Sequence, residues 1–344
     1  MKNFEDKSVK ILIVRFSSIG DIVLITPIIR CLKLQVLGCT IHVLTKSKYR
    51  DILAHNPYIS HIHCIEKTTN EVIGDLKKEK YQLVVDLHKN LRTFFLKLKL
   101  GKPSVSFHKL NVKKFLMVQF KINQLPHIHI VDRMMQSVKK LGVNYDGKGL
   151  DYFIDPKVNL PEKISSFIQG MPSYFTFCIG GTYYTKRCPN DKVIDICKDA
   201  KIPVILIGGA DDIENGHAIK QNIGDLCFNA CGQTNADQSA LIMQNSLFVI
   251  SNDTGMMHIA AALKKPVISL WGNTIPLFGM TPFFPEGFIP SPYIAEVHNL
   301  KCRPCSKLGY NNCPMKHFNC MKNIDIQDII RHIQSTNLKT TNIN

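Results

Sequence analysis

Apolar runs and polar breaks alternate along this chain with a steady rhythm. Residues 11–14 form a short apolar run that ends in Ser17, Ser18 and Gly20. Ile22, Ile25, Ile29 and Leu32 then recur at about one helical turn. That spacing predicts strand, tight loop and helix, with the loop at the carboxyl end of a strand, where doubly wound sheets bind ligands. Further strands are expected at 41–44, 61–65, 82–86 and 105–107, with a helix over 69–80. An amphipathic helix over 127–141, built on Val131, Met134, Met135, Val138 and Leu141, is stopped by Gly142. Strands separated by helical stretches read as parallel βαβ units.

Around residues 144–172 the rhythm breaks, and Gly147, Gly149, Pro156, Pro161, Gly170 and Pro172 crowd one stretch. The alternation restarts with strands at 174–179, 203–207, 226–229, 247–250 and 266–270. Helices are expected over 191–200, 212–221, 236–244 and 255–263. A closing helix over 325–334 precedes a tail that is expected to fray from Ser335. The pattern predicts an α/β protein of two Rossmann-like, doubly wound domains facing a central cleft. The expected spans are 1–150, a linker at 151–172, a second domain at 173–324 and a helix with tail at 325–344.

Three loops of the second half suit phosphate and ribose. Gly180 and Gly181 let backbone N–H groups approach an anion, Thr182 offers a hydroxyl and Lys186 a point charge; the alternative is a flexible loop with surface cations. Asp211 and Glu214 follow Gly208-Gly209; each either accepts from ribose hydroxyls or satisfies the start of a helix, capping being favoured for Asp211. In Ser251-Asn252-Asp253-Thr254-Gly255-Met256-Met257-His258 an apolar strand runs directly into an alanine-rich helix. Its free N–H groups at 254–257 would hold a diphosphate without a metal. Asp253 would repel phosphate, which leaves N-capping or a sugar hydroxyl as its task, and His258 is either packed in the core or in contact with ligand. No GxGxxG opens either domain and no GxxxxGKS/T occurs, so dehydrogenase and P-loop NTPase readings lose their main support.

In the first half, Ser18 and Asp21 are spaced as a capping box. The sharper alternative makes Asp21 a general base that takes a proton from an attacking hydroxyl. Asp86, His88, Lys89 and Arg92 follow a strand and suit an anionic acceptor, or form a solvated strand end.

Composition adds one constraint. With 43 Lys and Arg against 27 Asp and Glu, the net charge is +16, which favours polyanionic partners. No aromatic-rich basic signature is present, so a nucleic-acid partner is not expected. No secretory signal or spanning apolar stretch is apparent, which predicts a cytoplasmic protein, at most peripheral on a membrane. Most of the 12 cysteines sit in apolar segments and read as buried thiols. Cys302, Cys305, Cys313 and Cys320, with His317 nearby, have ligand spacing compatible with a structural zinc; reduced thiols are the alternative.

The segment Phe16-Ser-Ser-Ile-Gly-Asp21-Ile-Val-Leu-Ile-Thr-Pro27, Lys186 in its Gly-Gly-Thr loop, and the segment from Asp253 to Pro266 resemble glycosyltransferase family 9. These are the ADP-heptose:lipopolysaccharide heptosyltransferases and their relatives, and the resemblance runs from about residue 10 to 335. It implies a GT-B fold, with acceptor bound mainly by the N-terminal domain and nucleotide sugar by the C-terminal one. It also implies an inverting transfer that needs no metal or other cofactor. On that resemblance Asp21 matches the catalytic base and Lys186 the lysine on the donor diphosphate. Asp253, Thr254, Gly255 and His258 match the donor motif, joined by Thr182, Met256 and Glu214. Ser18, Gly20, His88, Lys89 and Arg92 are the acceptor-side candidates. Gly181 and Cys188 depart from the residues common at those places.

The expected function is transfer of heptose, or a related sugar, from an ADP-heptose-like donor to a lipopolysaccharide inner-core or lipid A-type acceptor. A non-catalytic binder of nucleotide sugar or phosphoglycan is the alternative. The expected partners are a nucleotide-diphosphate sugar, a phosphorylated lipid-linked saccharide and the anionic cytoplasmic face of the inner membrane. The lysines and arginines from Lys89 to Lys114 would dock there electrostatically. Association with anionic vesicles should therefore weaken as salt is raised; sedimentation unchanged in molar salt would refute the electrostatic account.

Overall fold

A computed structural model describes residues 9–340, with side chains described through residue 335. The chain divides into two compact units, one made of residues 1–110 and 128–153, the other of 111–127 and 154–344. Residues 111–127 thus group with the second unit, although they lie inside the stretch 1–150 that the sequence pattern assigns to the first.

The first unit runs β1 (Val9–Val14), α1 (Ile19–Val23), α2 (Thr26–Gln35), β2 (Cys39–Lys46), β3 (His61–Ile65), α3 (Ile73–Lys78), β4 (Leu83–Asp86), α4 (Leu91–Leu100) and β5 (Ser104–Ser106). After α5 (Asn111–Phe120), which groups with the second unit, α6 (Ile130–Val138) completes it. All strands are parallel in the order β3-β2-β1-β4-β5. Both faces of the sheet are covered, which is why its central strands are continuous apolar runs. Leu12, Val14, Leu44 and Val84 pack with Leu76 and Leu96 on one side. Because β1 lies between β2 and β4, the connections leaving β1 and β4 turn to opposite faces, and their first residues flank a crevice at the carboxyl edge.

Two helices differ from the pattern. The single helix expected after Gly20 breaks at Val23, because the ring of Pro27 clashes with a carbonyl four residues back in a continuous helix. Thr26 Oγ1 donates to Val23 O at 2.8 Å across the break. The helix expected over 69–80 is a short 3-10 turn, Thr69–Glu71, followed by α3.

The second unit contains α7 (Glu162–Gln169), β6 (Phe175–Cys178), α8 (Asn190–Ala200), β7 (Val204–Ile207), α9 (Ile213–Ile223), β8 (Cys227–Asn229), α10 (Ala236–Asn245), β9 (Val249–Asn252), α11 (Gly255–Ala262), β10 (Val267–Trp271), β11 (Tyr293–Glu296), α12 (Asn319–Lys322) and α13 (Ile326–Thr340). Its six parallel strands lie in the order β11-β10-β9-β6-β7-β8. The crevice position recurs between β6 and β9. The expected linker at 151–172 holds α7, whose one buried residue is Ile164. The expected frayed tail is helical to Thr340, since neither Gly nor Pro interrupts the stretch; residues 341–344 lie outside the described part.

At the amino edge of the first sheet, His42 and His63 are buried. His42 Nδ1 and His63 Nε2 lie 2.8 and 2.9 Å from the Tyr81 hydroxyl. Glu79 Oε2 is 4.0 Å from His42 Nδ1 and is paired with Lys10 Nζ at 2.6 Å. Burial pushes the imidazole of His63 down to about 4, helped by His61 and His42 and opposed by Glu79. His42 is lowered for the same reason, burial. Between that value and the ordinary 6.5 the unfolded chain binds more protons than the folded one, so stability rises with pH across this window. The melting temperature should fall from pH 7 to pH 4.5, with a shallower slope in His63→Gln; an equal slope in that variant would remove His63 from the account.

Candidate active site

The first unit builds its site from the loops after β1 and β4. Arg15, 7% exposed, has every side of its guanidinium engaged. Nε donates to Ser17 O at 3.0 Å, NH1 to Leu87 O, and NH2 pairs with Asp21 Oδ1. Asp21 Oδ2 accepts from the Ser18 N–H at 3.1 Å and from Ser18 Oγ at 3.0 Å. The capping box is therefore present and does not exhaust the carboxylate, whose other oxygen belongs to Arg15. Burial raises the Asp21 carboxyl, and the Arg15 charge with the Ser18 hydrogen bonds overcomes it, so the net direction is below the ordinary 3.8. Asp21 is ionised at neutral pH and able to accept a proton.

Across the same crevice Asp86, fully buried, accepts from the N–H groups of His88 and Lys89 at 3.1 and 2.7 Å. Its other oxygen is 3.0 Å from Lys97 Nζ. Asp86 thereby shapes the turn rather than meeting solvent. His88 packs against the Phe16 ring at 4.9 Å, and its buried Nδ1 has no hydrogen-bond partner. Burial, then the charges of Arg15 and Lys109, push this imidazole down to about 4, so it is neutral at pH 7. Arg92 is exposed and stacks over Phe16 at 5.6 Å. Lys89 donates from Nζ to Phe107 O at 3.0 Å, Ser18 is exposed, and Gly20 is buried inside α1. The sequence pattern did not single out Arg15, and it placed Lys109 only within the basic stretch from Lys89 to Lys114. An arginine ending an apolar strand just before a Ser-Ser-x-Gly-Asp turn was the available signal.

In the second unit the loops after β6 and β9 meet through Asn252. Its Nδ2 donates to Ile179 O at 2.9 Å and Gly180 O at 3.2 Å, and its Oδ1 accepts from Cys188 N at 3.1 Å. Lys186, brought back by this clamp, lies 2.6 Å from Asp253 Oδ2 and 3.1 Å from Asp253 O. Thr274, from the loop after β10, donates to the same Oδ2 at 2.8 Å. Asp253 thus does not cap α11, and its Oδ2 is committed to Lys186 and Thr274. Thr254 occupies the N-cap, and Asp253 fixes the ammonium beside the first turn of α11. Gly255 and Met256 open that turn, where the leading N–H groups have no intrahelical acceptor. His258 is 2% exposed, one turn in.

The remaining donor-side residues separate. Thr182 and Glu214 are exposed, on the Gly-Gly-Thr loop and the first turn of α9. The helix start after β7 is held by Asp212 rather than Asp211: Asp212 Oδ2 accepts from Gly209 N at 2.9 Å, and Oδ1 pairs with Arg187 NH1 at 3.1 Å. Gly208 must lack a side chain, since a Cβ there would lie 2.7 Å from Asp212 Cβ and 2.9 Å from Cys231 Sγ. Cys302, Cys305, Cys313 and Cys320 are free thiols, Cys302 Sγ being 3.8 Å from His317 Nε2. Among the described residues, the group of three His, Cys, Asp or Glu donors within 4.8 Å of one another is His42, His63 and Glu79, not these cysteines.

The sequence pattern of glycosyltransferase family 9 (heptosyltransferase) matches residues 70–307, and the chain belongs to that family. The matched span holds Lys186 and Asp253 and leaves Asp21 outside. Lipooligosaccharide heptosyltransferase 2 of Haemophilus influenzae is 24% identical over 292 residues, 78% of this chain and 84% of that protein. The crystal structure of a family 9 glycosyltransferase from Veillonella parvula matches with a TM-score of 0.76 at 20% identity, covering 98% of this chain and 100% of that one. ADP-heptose lipopolysaccharide heptosyltransferase II of Escherichia coli gives 0.69 at 18% identity, over 97% and 100%. The fold is of GT-B type and the protein is a glycosyltransferase, which sets aside the non-catalytic binder.

Removing the Arg15 charge takes away the strongest effect that lowers Asp21. In Arg15→Gln the Asp21 carboxyl should titrate at higher pH by side-chain carbon-13 NMR, and any acid limb of the rate profile should move the same way. An unmoved titration would disconnect the two groups.

Proposed function

We propose that this protein transfers heptose, with inversion, from an ADP-heptose-type donor to a phosphorylated lipid-linked saccharide of the lipopolysaccharide inner core or lipid A kind. The observation that carries this reading is the presence of two prepared devices: an ionised Asp21 held by Arg15 and Ser18 on the first unit, and Lys186 latched beside the start of α11 on the second. The relatives are named for heptose transfer to lipopolysaccharide or lipooligosaccharide, which supports the choice of sugar and acceptor.

The chemistry balances as a single displacement. Asp21 takes the proton of an acceptor hydroxyl as its oxygen bonds to the anomeric carbon, and the bond to the diphosphate breaks on the opposite face. One displacement inverts the anomeric centre. Negative charge grows on the leaving diphosphate, and Lys186 with the α11 N–H groups would offset it there. This arrangement supplies the positive charge from the chain itself, which supports transfer without a metal ion. Thr182, Thr254, His258 and Glu214 are the further donor contacts in this reading, His258 acting from a buried position.

On the acceptor side, neutral His88 offers a ring nitrogen without adding charge, while Lys89, Arg92 and Lys109 draw a phosphorylated saccharide to the Asp21 loop. Lys109 is lowered by burial and then by Arg15. The acceptor chemistry puts the protein at the cytoplasmic face of the inner membrane. Among the described residues no helix is long and apolar enough to cross a membrane.

Two variants separate the devices. Asp21→Asn should lower turnover on the order of 10²–10⁴-fold while the donor still raises the melting temperature. Lys186→Met should lose most of that donor-induced rise. Turnover in Asp21→Asn within tenfold of wild type would remove the base assignment. An unchanged donor-induced shift in Lys186→Met would remove the diphosphate contact.

A further inference from the structure

Helix α4 carries an apolar face on the outside of the first unit. Leu91, Phe94, Phe95 and Leu98 are 70, 51, 50 and 62% exposed. These positions follow i, i+3, i+4 and i+7, so at 3.6 residues per turn they occupy an arc of about 100°. Thr93, Leu96 and Leu100 lie on the opposite arc and are buried in the core. The sequence of the helix therefore specifies two apolar stripes, and the fold uses one of them.

Charge flanks the exposed stripe with one sign. No acidic residue occurs in α4. Arg92 and Lys99 border the stripe and are exposed, and Lys102 follows the helix end, also exposed. Lys99 Nζ is oriented by Asn70 Oδ1 at 2.6 Å, on the connection leading into α3. An interfacial helix needs this composition: an apolar stripe with cations beside it, in a chain of net charge +16.

The helix is also placed by the active site. Asn90 caps it, accepting from Thr93 N at 3.0 Å, and Asn90 follows directly on the His88–Lys89 turn held by Asp86. Arg92, in its first turn, stacks over Phe16 at the root of the Asp21 loop.

We infer that α4 lies in the interface of an anionic bilayer, with Leu91, Phe94, Phe95 and Leu98 among the acyl chains and Arg92, Lys99 and Lys102 at the headgroups. This rests on the lipid-linked acceptor proposed above, and it gives that acceptor a route: a saccharide projecting from the same surface reaches the Asp21 loop without leaving the membrane. A net charge alone would hold the protein near such a surface; the stripe adds an apolar component that salt does not screen.

The test uses the full chain with vesicles of phosphatidylcholine, with and without phosphatidylglycerol. Wild type should sediment with the anionic vesicles, and raised salt should reduce the bound fraction without abolishing it. Phe94→Ser with Phe95→Ser should lose on the order of tenfold or more in binding with an unchanged melting temperature. That variant should retain wild-type transfer to a soluble, delipidated acceptor. Lys99→Glu should weaken binding only to the anionic vesicles. Undiminished binding by the Phe94/Phe95 variant overturns the inference, as does equal wild-type binding to both vesicles. A shift of that variant from dimer to monomer at unchanged vesicle binding assigns the stripe to a second copy of the chain instead. Loss of transfer by the wild type on every acceptor, with vesicle binding intact, tells against the proposed function and not against the stripe.

Discussion

The buried guanidinium of Arg15 is the constraint on which the first unit's chemistry depends. A charge removed from water costs several kcal/mol unless its hydrogen-bonding capacity is met in place, and here it is met by Ser17 O, Leu87 O and Asp21. Because those acceptors belong to the loops after β1 and β4, satisfying one side chain locks both loops. The same charge lowers Asp21 against the effect of burial and adds to burial in lowering His88, so one residue acts on both neighbours. Lys186 plays the corresponding part in the second unit, gripping both the carboxylate and the carbonyl of Asp253.

Much of the architecture is legible in the hydrophobic pattern, since parallel strands buried on both faces must be continuous apolar runs. The strands at 41–44, 61–65 and 203–207 and the helix 236–244 are found close to their expected limits. What escapes the pattern has a physical reason in each case. The stripe of α4 is apolar on two sides, so no single amphipathic face marks it as a helix. The β11 strand, Tyr-Ile-Ala-Glu, is short and sits at the sheet edge, where burial is partial. The break between α1 and α2 is set by one proline that the periodicity of isoleucines hides.

The site is legible in its loops and less so in its hydrogen bonds. Gly-rich turns after strands, and the step from β9 into α11, are local features that spacing reveals. The partnership of Asp253 with Lys186 joins residues 67 apart, and that of Arg15 with Leu87 joins residues 72 apart. No local rule pairs such positions. Asp253 consequently has a task that neither sequence alternative contained, and Asp212 takes the one expected of Asp211, because only Asp212 is turned back toward Gly209.

Asn252 carries a consequence of a different kind. Its amide spends both a donor and an acceptor within the reach of one short side chain, on Ile179, Gly180 and Cys188. Aspartate has the length and lacks the donor; its carboxylate would face two carbonyl oxygens. Glutamine has the groups and is one carbon too long, and leucine has the shape with neither group. The last residue of this strand therefore needs both a donor and an acceptor at asparagine's length, for a reason unrelated to catalysis. The placement of the loop that carries Lys186 is inherited from a side chain that need touch no ligand.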